Sequence, residues 1–536
     1  MPTIDITAML GMKPRIESFL LPDENSEIAT DCHFDSGIIN PLYGDTDQAF
    51  AFPSAPTTIF RYTDAFWFAW TGDVDAIRSP IAQDDYDRVY YTDGSYPKVT
   101  DSAIATGGAT KPTAYYRLGI PAPGSAITFG TITPPVGETD DTSTDDESRY
   151  YVHTYVSGKG EEGPPSPASA EINIPIPGSS LVLNFPSVEA NNNNITLRRT
   201  YRSATTDTSS GWYLVCETPI ATLSYTDTLT EGELGPELQT EDYLPPPDTM
   251  TGLCLMANGI AAGFDGNTVL FSGAYLPYAW PEANRLTTED DVVAICPIGT
   301  SLVVGTKGYP YIMSGVSPAA ITSQKIVLQQ ACISKRSMVA VDGVVLYASP
   351  DGLMAVGESS ALLATEQILS RKQWLAMHPS TLRAWAFEGK YIGLTDNTGF
   401  IYDPKTNDFR YLSNSWNAAY NDLKADALFI AKGTALYTWR SSSTYQSFTW
   451  RTKEFIRLPG MSYSCCRVVS PDITKIGFKL YVDGVLKMTL AAGSVPAGAF
   501  RLPALRGDIW QIEITGTDKV SRITLATSMQ ELAYGG

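Results

Sequence analysis

Histidine is nearly absent: the 536 residues contain only His33, His153 and His378, each in a different stretch of the chain. No H-E-x-x-H, G-x-S-x-G or G-x-x-x-x-G-K-[ST] pattern occurs, so a histidine triad, a zinc hydrolase or a phosphate-cradling loop has no material. Cysteine is scarce and odd in number, seven in all. Cys465 and Cys466 are adjacent and no pair has C-x-x-C spacing, which argues against a disulfide framework or zinc site and for small buried thiols. No run of about 18 apolar residues occurs, and the opening "MPTIDITAMLGMKPR" lacks the basic start and apolar core of a secretory signal. The expectation is a chain without a membrane-spanning segment, made in the cytoplasm. Basic residues are also short, 38 Lys+Arg against 58 Asp+Glu for a net charge of -20. Gripping a nucleic acid backbone takes clustered Lys and Arg that displace counterions, and most of this surface would repel one.

What is abundant is turn and aromatic residue: Gly 43, Pro 36, Tyr 29, Phe 19 and Trp 10. Strand–turn–strand units read at "GIAAGFDGNTVLFSG", "SLVVGTKGYPYIMSG", "GVVLYASPDGLMAVG", "KYIGLTDNTGFIYD" and "DALFIAKGTALYTW". Each joins two apolar runs through a glycine-containing turn, the chemistry of a tight hairpin that needs positive φ. The turn glycines Gly266, Gly308, Gly352, Gly399 and Gly433 recur at intervals that fit propeller blades of about 40–50 residues. "FWFAWTGDVDAIRSP" and "RVYYTDGSYPKVT", with Gly72 and Gly94, read as two hairpins of one further blade. The interval from Gly94 to Gly266 fits the period once residues 121–247 are set aside. The fold expected is therefore all-β: a β-propeller interrupted by an inserted domain, with a sandwich or prism as the competing antiparallel arrangement. A short helix capped by Ser370 and stopped by Pro379 carries Trp374, Leu375 and Met377.

The inserted segment has its own character. Residues 149–228 hold several short strands at roughly ten-residue intervals, the signature of an immunoglobulin-like or fibronectin-III-like sandwich. "PAPG" and "LPPPD" bracket it as semi-rigid connectors. It is acidic, with 18 Asp+Glu against 5 Lys+Arg over 121–247. Its run "ETDDTSTDDE", 138–147, lacks the D-x-D-x-D-G register of a calcium loop and reads as a solvated loop. "NNNN" at 191–194 reads as a loop tip, and its Asn194-Ile195-Thr196 sequon has no role in a chain that is not secreted. After residue 450 the pattern changes to alternating strands with an Asp483-Gly484 hairpin and a basic balance, 11 Lys+Arg against 7 Asp+Glu over 451–536. The domains expected are thus 1–120, an N-terminal extended segment with the first blades; 121–247, the inserted sandwich; 248–450, the remaining blades; and 451–536, a C-terminal β-domain.

Candidate chemistry is thin. A glycosidase needs two carboxylates about 5–9 Å apart, and sequence offers no way to pick them from 58; Asp351, in "SPDGL", is accounted for as a turn acceptor. Trp67, Trp70, Tyr90 and Tyr91 have the composition of a sugar platform, but alternate with small or polar residues as sheet packing does. No catalytic, cofactor-binding, metal or other binding residue is nominated, no cofactor is expected, and the chain reads as a protein without enzyme activity.

The stretches "MKPRIESFLLPDENSEIATDCHFDSGIINPL", "GDVDAIRSPIAQDDYDRVYYTDGSYPKVT", "YVSGKGEEGPPSPAS", "AYLPYAWPE", "GTSLVVGTKGYPYIMSG" and "QQACISKRSMVAVDGVVLYASPDGLMAV" resemble tailed-bacteriophage virion proteins. The likeness runs from about residue 12 to 410, and within that group it is to the tail nozzle, also called tail hub or tail tubular protein B, of short-tailed phages. The resemblance implies a propeller with added β-domains, assembled as a homo-hexameric ring in the virion tail below a portal-adaptor ring. It further implies contacts to tail fibres or a needle, genomic DNA passing through the lumen without specific binding, and synthesis in the host bacterial cytoplasm. A wall poor in Lys and Arg would suit such passage, since each neutralised phosphate adds affinity. The second reading is a propeller that binds a host-receptor glycan or anchors a fibre.

Overall fold

The computed structural model describes residues 3–108, 111–139, 146–188, 191–205, 210–457 and 462–534. Strand accounts for 45% of the chain and helix for 6%, so the protein is all-β. Among the described residues no sheet closes into a barrel.

Seven sheets follow one another along the chain, antiparallel except for parallel pairs in the sixth. Sheet I has only two strands, Thr58–Thr63 and Phe66–Trp70. Sheet II has four, starting with Asp75–Arg78 and ending with Tyr116–Arg117. Sheets III, IV and V start with Thr251–Leu255, Val292–Ile298 and Val339–Val341. Sheet VI starts with Arg383–Phe387, and sheet VII with Ala418–Asp422. Sheet VII takes its fourth strand, Thr46–Ala51, from the other end of the chain, paired with Ala435–Thr438.

Apolar clusters join these sheets face to face in a cycle. Phe68 of sheet I meets Val89 of II, Ile77 meets Leu253 of III, and Val269 meets Leu302 of IV. Val303 of IV then meets Val345 of V, Leu346 meets Tyr391 of VI, and Ile401 meets Ile430 of VII. Phe429 and Trp67 return the cycle to sheet I. Because both faces of each sheet are covered, successive residues of one strand are both apolar. Ser301–Thr306 is buried along its whole length, with Leu302 and Val304 facing sheet III and Val303 facing sheet V. This is why the middle strands read as apolar runs and not as alternation.

The turn glycines divide into two kinds. Gly94, Gly266 and Gly433 have φ of +84°, +57° and +59° and serve the hairpins for which they were read. Gly308, Gly352 and Gly399 are not in the left-handed region. Gly399 begins a strand, and Gly352 is needed for space, since Thr365 Oγ1 lies 2.5 Å from where a Cβ would stand. The two-residue turns with both residues at positive φ are Asp342-Gly343, Glu388-Gly389 and Asp483-Gly484, the backbone of a type I′ hairpin. Gly72 makes no hairpin: it links Phe66–Trp70 to Asp75–Arg78, which belong to different sheets. Its neighbours read as a hairpin because two apolar runs flank a glycine, a pattern that a link between sheets shares. The Ser370 helix spans Arg371–Ala376, with the Ser370–Gln373 capping box formed and Trp374 buried.

Residues beyond sheet II, from Thr128–Thr133 to Ser224–Asp227, pair only among themselves, in two three-stranded sheets and one two-stranded sheet. Phe129, Leu181 and Leu183 share an apolar cluster with Tyr151 and Val215 across the two larger sheets. The connectors leave and return side by side, Gly119 packing on Pro245. The strip of asparagines is more than a loop tip, because Asn193 donates to Gly119 O at 2.7 Å and holds the outgoing connector. Residues 140–145 of the acidic run lie outside the described residues. Ion pairs fasten this unit to sheet II: Arg88 binds Glu161 at 2.7 Å and Asp84 at 2.8 Å, and Lys159 pairs with Asp101, all with little solvent exposure.

The C-terminal strands continue sheet VI instead of standing apart from it. From Asp408–Leu412 the ladder passes to Asn25–Thr30, Phe448–Thr452, Ile509–Gly516, Ile476–Val482 and Val485–Leu490. A second sheet joins Ile4–Ile6, Arg522–Ala526, Cys465–Val469 and Phe500–Arg501. One core holds the two together, including Ile6, Cys466, Phe478, Ile514 and Leu525. No helix among the described residues is long and apolar enough to cross a membrane.

Candidate functional site

The first strands of all seven sheets border one space of ≈ 670 Å³. Its waist is apolar, with Ala76, Leu255, Ile295, Trp385 and Ala419 on the wall, and the thiols of Cys254 and Cys296 beside them. One mouth is charged. Lys335 binds Asp75 at 2.7 Å and Asp73 at 3.0 Å, while Arg336 pairs with Asp73 and reaches Asp75 at 3.1 Å. Asp75 also accepts from Gly252 N at 3.0 Å, which ties sheet III to the cluster. Burial pushes the Asp73 carboxyl up, but the charges of Arg336 and Lys335 and their hydrogen bonds outweigh it and hold it below the usual carboxylate range. Arg383 completes this mouth, donating to Asn417 O at 2.5 Å and to Thr57 O. Burial and the neighbouring Arg336 lower its pKa. The bordering residues Arg78, Lys335, Arg336 and Arg383 make this space cationic within an acidic chain. The negative charge is concentrated elsewhere, above all in residues 121–247.

The residues weighed in the sequence are not brought together here. His33 lies 2.8 Å from Asp35, and burial pushes its pKa down to about 4. His378 pairs with Asp396 at 2.8 Å on the surface. His153 is buried in the inserted unit, where Nε2 donates to Ser125 O at 2.9 Å and Nδ1 has no hydrogen-bond partner among the described residues. Trp67, Tyr90 and Tyr91 are buried, Trp67 lying edge-on to Phe429 at 5.0 Å, while half-buried Trp70 packs on Tyr91 at 5.6 Å. They are packing residues and present no open platform. Asp351 is held by Gln330 at 2.8 Å and Arg371 at 3.2 Å. All seven cysteines are free thiols, Cys465 and Cys466 among them. The charged mouth escapes sequence reading because Asp73 and Asp75 meet Lys335 and Arg336 across some 260 residues, with no local pattern at either end.

One titration follows from His153, whose pKa burial lowers from 6.5 to about 4. A folded-state pKa below the unfolded one means that the unfolded chain binds the proton more readily. This contribution is complete above pH 6.5 and is lost as pH falls towards 4, and is worth about 3 kcal/mol. Urea unfolding across that window should show a smaller pH dependence in His153→Gln than in the parent. Equal pH dependence would show that the histidine is not buried as a neutral ring.

No family model matches the chain, and no curated protein matches it. Among solved structures it is similar to the extracellular domain of a one-component system from B. thetaiotaomicron, with 10% identity and a TM-score of 0.27, over 70% of this chain and 47% of that one. The chain thus spans about half the length of that structure. It is also similar to Hsv2 of Kluyvelomyces marxianus, with 8% identity and a TM-score of 0.23, over 52% of this chain and 90% of that one.

Proposed function

We propose that the chain is a seven-bladed β-propeller carrying an inserted immunoglobulin- or fibronectin-III-like sandwich, and that six copies form the nozzle ring of a short phage tail. The likeness of the stretches between residues 12 and 410 to tail-nozzle proteins carries this reading. The cyclic face-to-face packing of seven sheets supports the architecture. The space inside one chain, ≈ 670 Å³ in all, is no route for a duplex whose major groove alone is about 12 Å wide. The conduit therefore lies between copies, around an axis generated by repeated head-to-tail contacts. Net charge of -20 keeps most of the outer surface from gripping phosphate. In this reading the ring sits in the virion tail between a portal adaptor and fibres or a needle, passes DNA without binding sequence, and catalyses nothing.

Electron microscopy of purified particles and of the isolated chain tests it. A sixfold ring around an open axis is expected, and particles lacking the chain should lack a complete tail tube. A monomer or trimer with measurable glycan affinity would replace the nozzle by a receptor-binding propeller.

A further inference from the structure

The space ringed by the first strands holds more positive charge than its carboxylates balance. At the charged mouth Asp73 and Asp75 are both engaged by Lys335 and Arg336. Arg383 has no carboxylate within 4.0 Å among the described residues, and its guanidinium rests on the backbone carbonyls of Thr57 and Asn417. At the opposite mouth Arg78 is seated in the same manner, on Arg61 O at 2.5 Å and Tyr62 O at 2.9 Å. Carbonyl dipoles orient a guanidinium but leave its charge standing. The two seats, Thr57 and Arg61, are four residues apart on one extended strand, about 13 Å. Between them the wall is the apolar waist.

We propose that this space binds a small organic anion, an acid whose carboxylate takes Arg383 and whose hydrocarbon body lies along the waist towards Arg78. A carboxylate there receives charge-assisted hydrogen bonds from a guanidinium already desolvated on one side. It also neutralises the one positive charge by which Lys335, Arg336 and Arg383 exceed Asp73 and Asp75 at the mouth. The volume of ≈ 670 Å³ falls within the span of about 300–1,000 Å³ typical of small-molecule sites. The acidic surface disfavours approach of a bare anion, whereas an apolar body removes water from the waist at about 25 cal/mol per Å². The site therefore selects amphiphilic acids over inorganic ones.

Titration calorimetry of the full chain at constant ionic strength tests this with octanoate, octanol and inorganic phosphate as probes. Octanoate should bind saturably, with a Kd of about 1 mM or below, octanol and phosphate at least about tenfold more weakly. Arg383→Gln should weaken octanoate by about tenfold or more, and Arg383→Lys by less. Ala419→Phe, which fills the waist and leaves every charge in place, should abolish binding, and it keeps the question answerable if Arg383→Gln does not fold. Absence of saturable octanoate binding would overturn the proposal, as would octanol binding equally well, or unchanged octanoate affinity in folded Arg383→Gln or Ala419→Phe.

Discussion

Replacing Arg88 by Met is expected to cost the chain about 3–5 kcal/mol, the penalty for stranding buried charge when one partner of a buried pair is removed. Arg88 is 7% exposed and is shared by Asp84 and Glu161. Burial pushes the Glu161 carboxyl up even with Arg88 and Lys159 beside it, so without the guanidinium it has to take a proton or open to water. Because Glu161 belongs to the inserted unit and Asp84 to the loop within sheet II, the loss falls on their junction. Urea unfolding should move to a lower midpoint, and limited proteolysis should begin to cut the connectors near Ile120 and Leu244. Adding Glu161→Gln should recover part of the loss. An unchanged midpoint in Arg88→Met would show that this junction contributes nothing to holding the two units together.

A chain beginning at Phe52 should fail to fold cooperatively. The missing segment supplies Thr46–Ala51 to sheet VII and Asn25–Thr30 to the ladder between sheet VI and Phe448–Thr452. It also buries Ile6, Met9, Met12, Phe34, Ile39 and Leu42 in cores built by distant residues. At about 1.5–3 kcal/mol for each buried apolar side chain, the loss reaches the whole stability of an ordinary domain, about 5–15 kcal/mol. Circular dichroism during heating should show no sharp transition, and the shortened chain should aggregate through the open edges at Ala435–Thr438 and Phe448–Thr452. A soluble product with one sharp transition near that of the parent would contradict the closure described above.

What the sequence disclosed, and what it hid, divides along the range of the interactions. The hairpins at Gly94, Gly266 and Gly433 are local, and residue type alone fixes such turns. The Ser370 helix is local in the same way. Fully buried strands such as Ser301–Thr306 were legible as apolar runs because both faces are covered. The Gly72 link was misleading, since a flanked glycine says nothing about which strands will pair. The pairing of the terminal strands was hidden for a stronger reason: Thr30 pairs with Tyr411 in sheet VI and Ile4 with Leu525 in the second sheet, and no periodicity records such partners. The cationic mouth was equally invisible, and net charge pointed the other way, because a sum over 536 residues says nothing about where four basic side chains converge.

The seventh sheet is completed by Thr46–Ala51, a strand that is synthesised well before its partner Ala435–Thr438. At about 5–20 residues per second, that partner emerges roughly twenty to eighty seconds later. Until then Thr46–Ala51 lacks this partner and sheet VII is incomplete. Sheet VII is thus closed by a clasp between two segments far apart in the chain, and it cannot be completed before Ala435–Thr438 has been made.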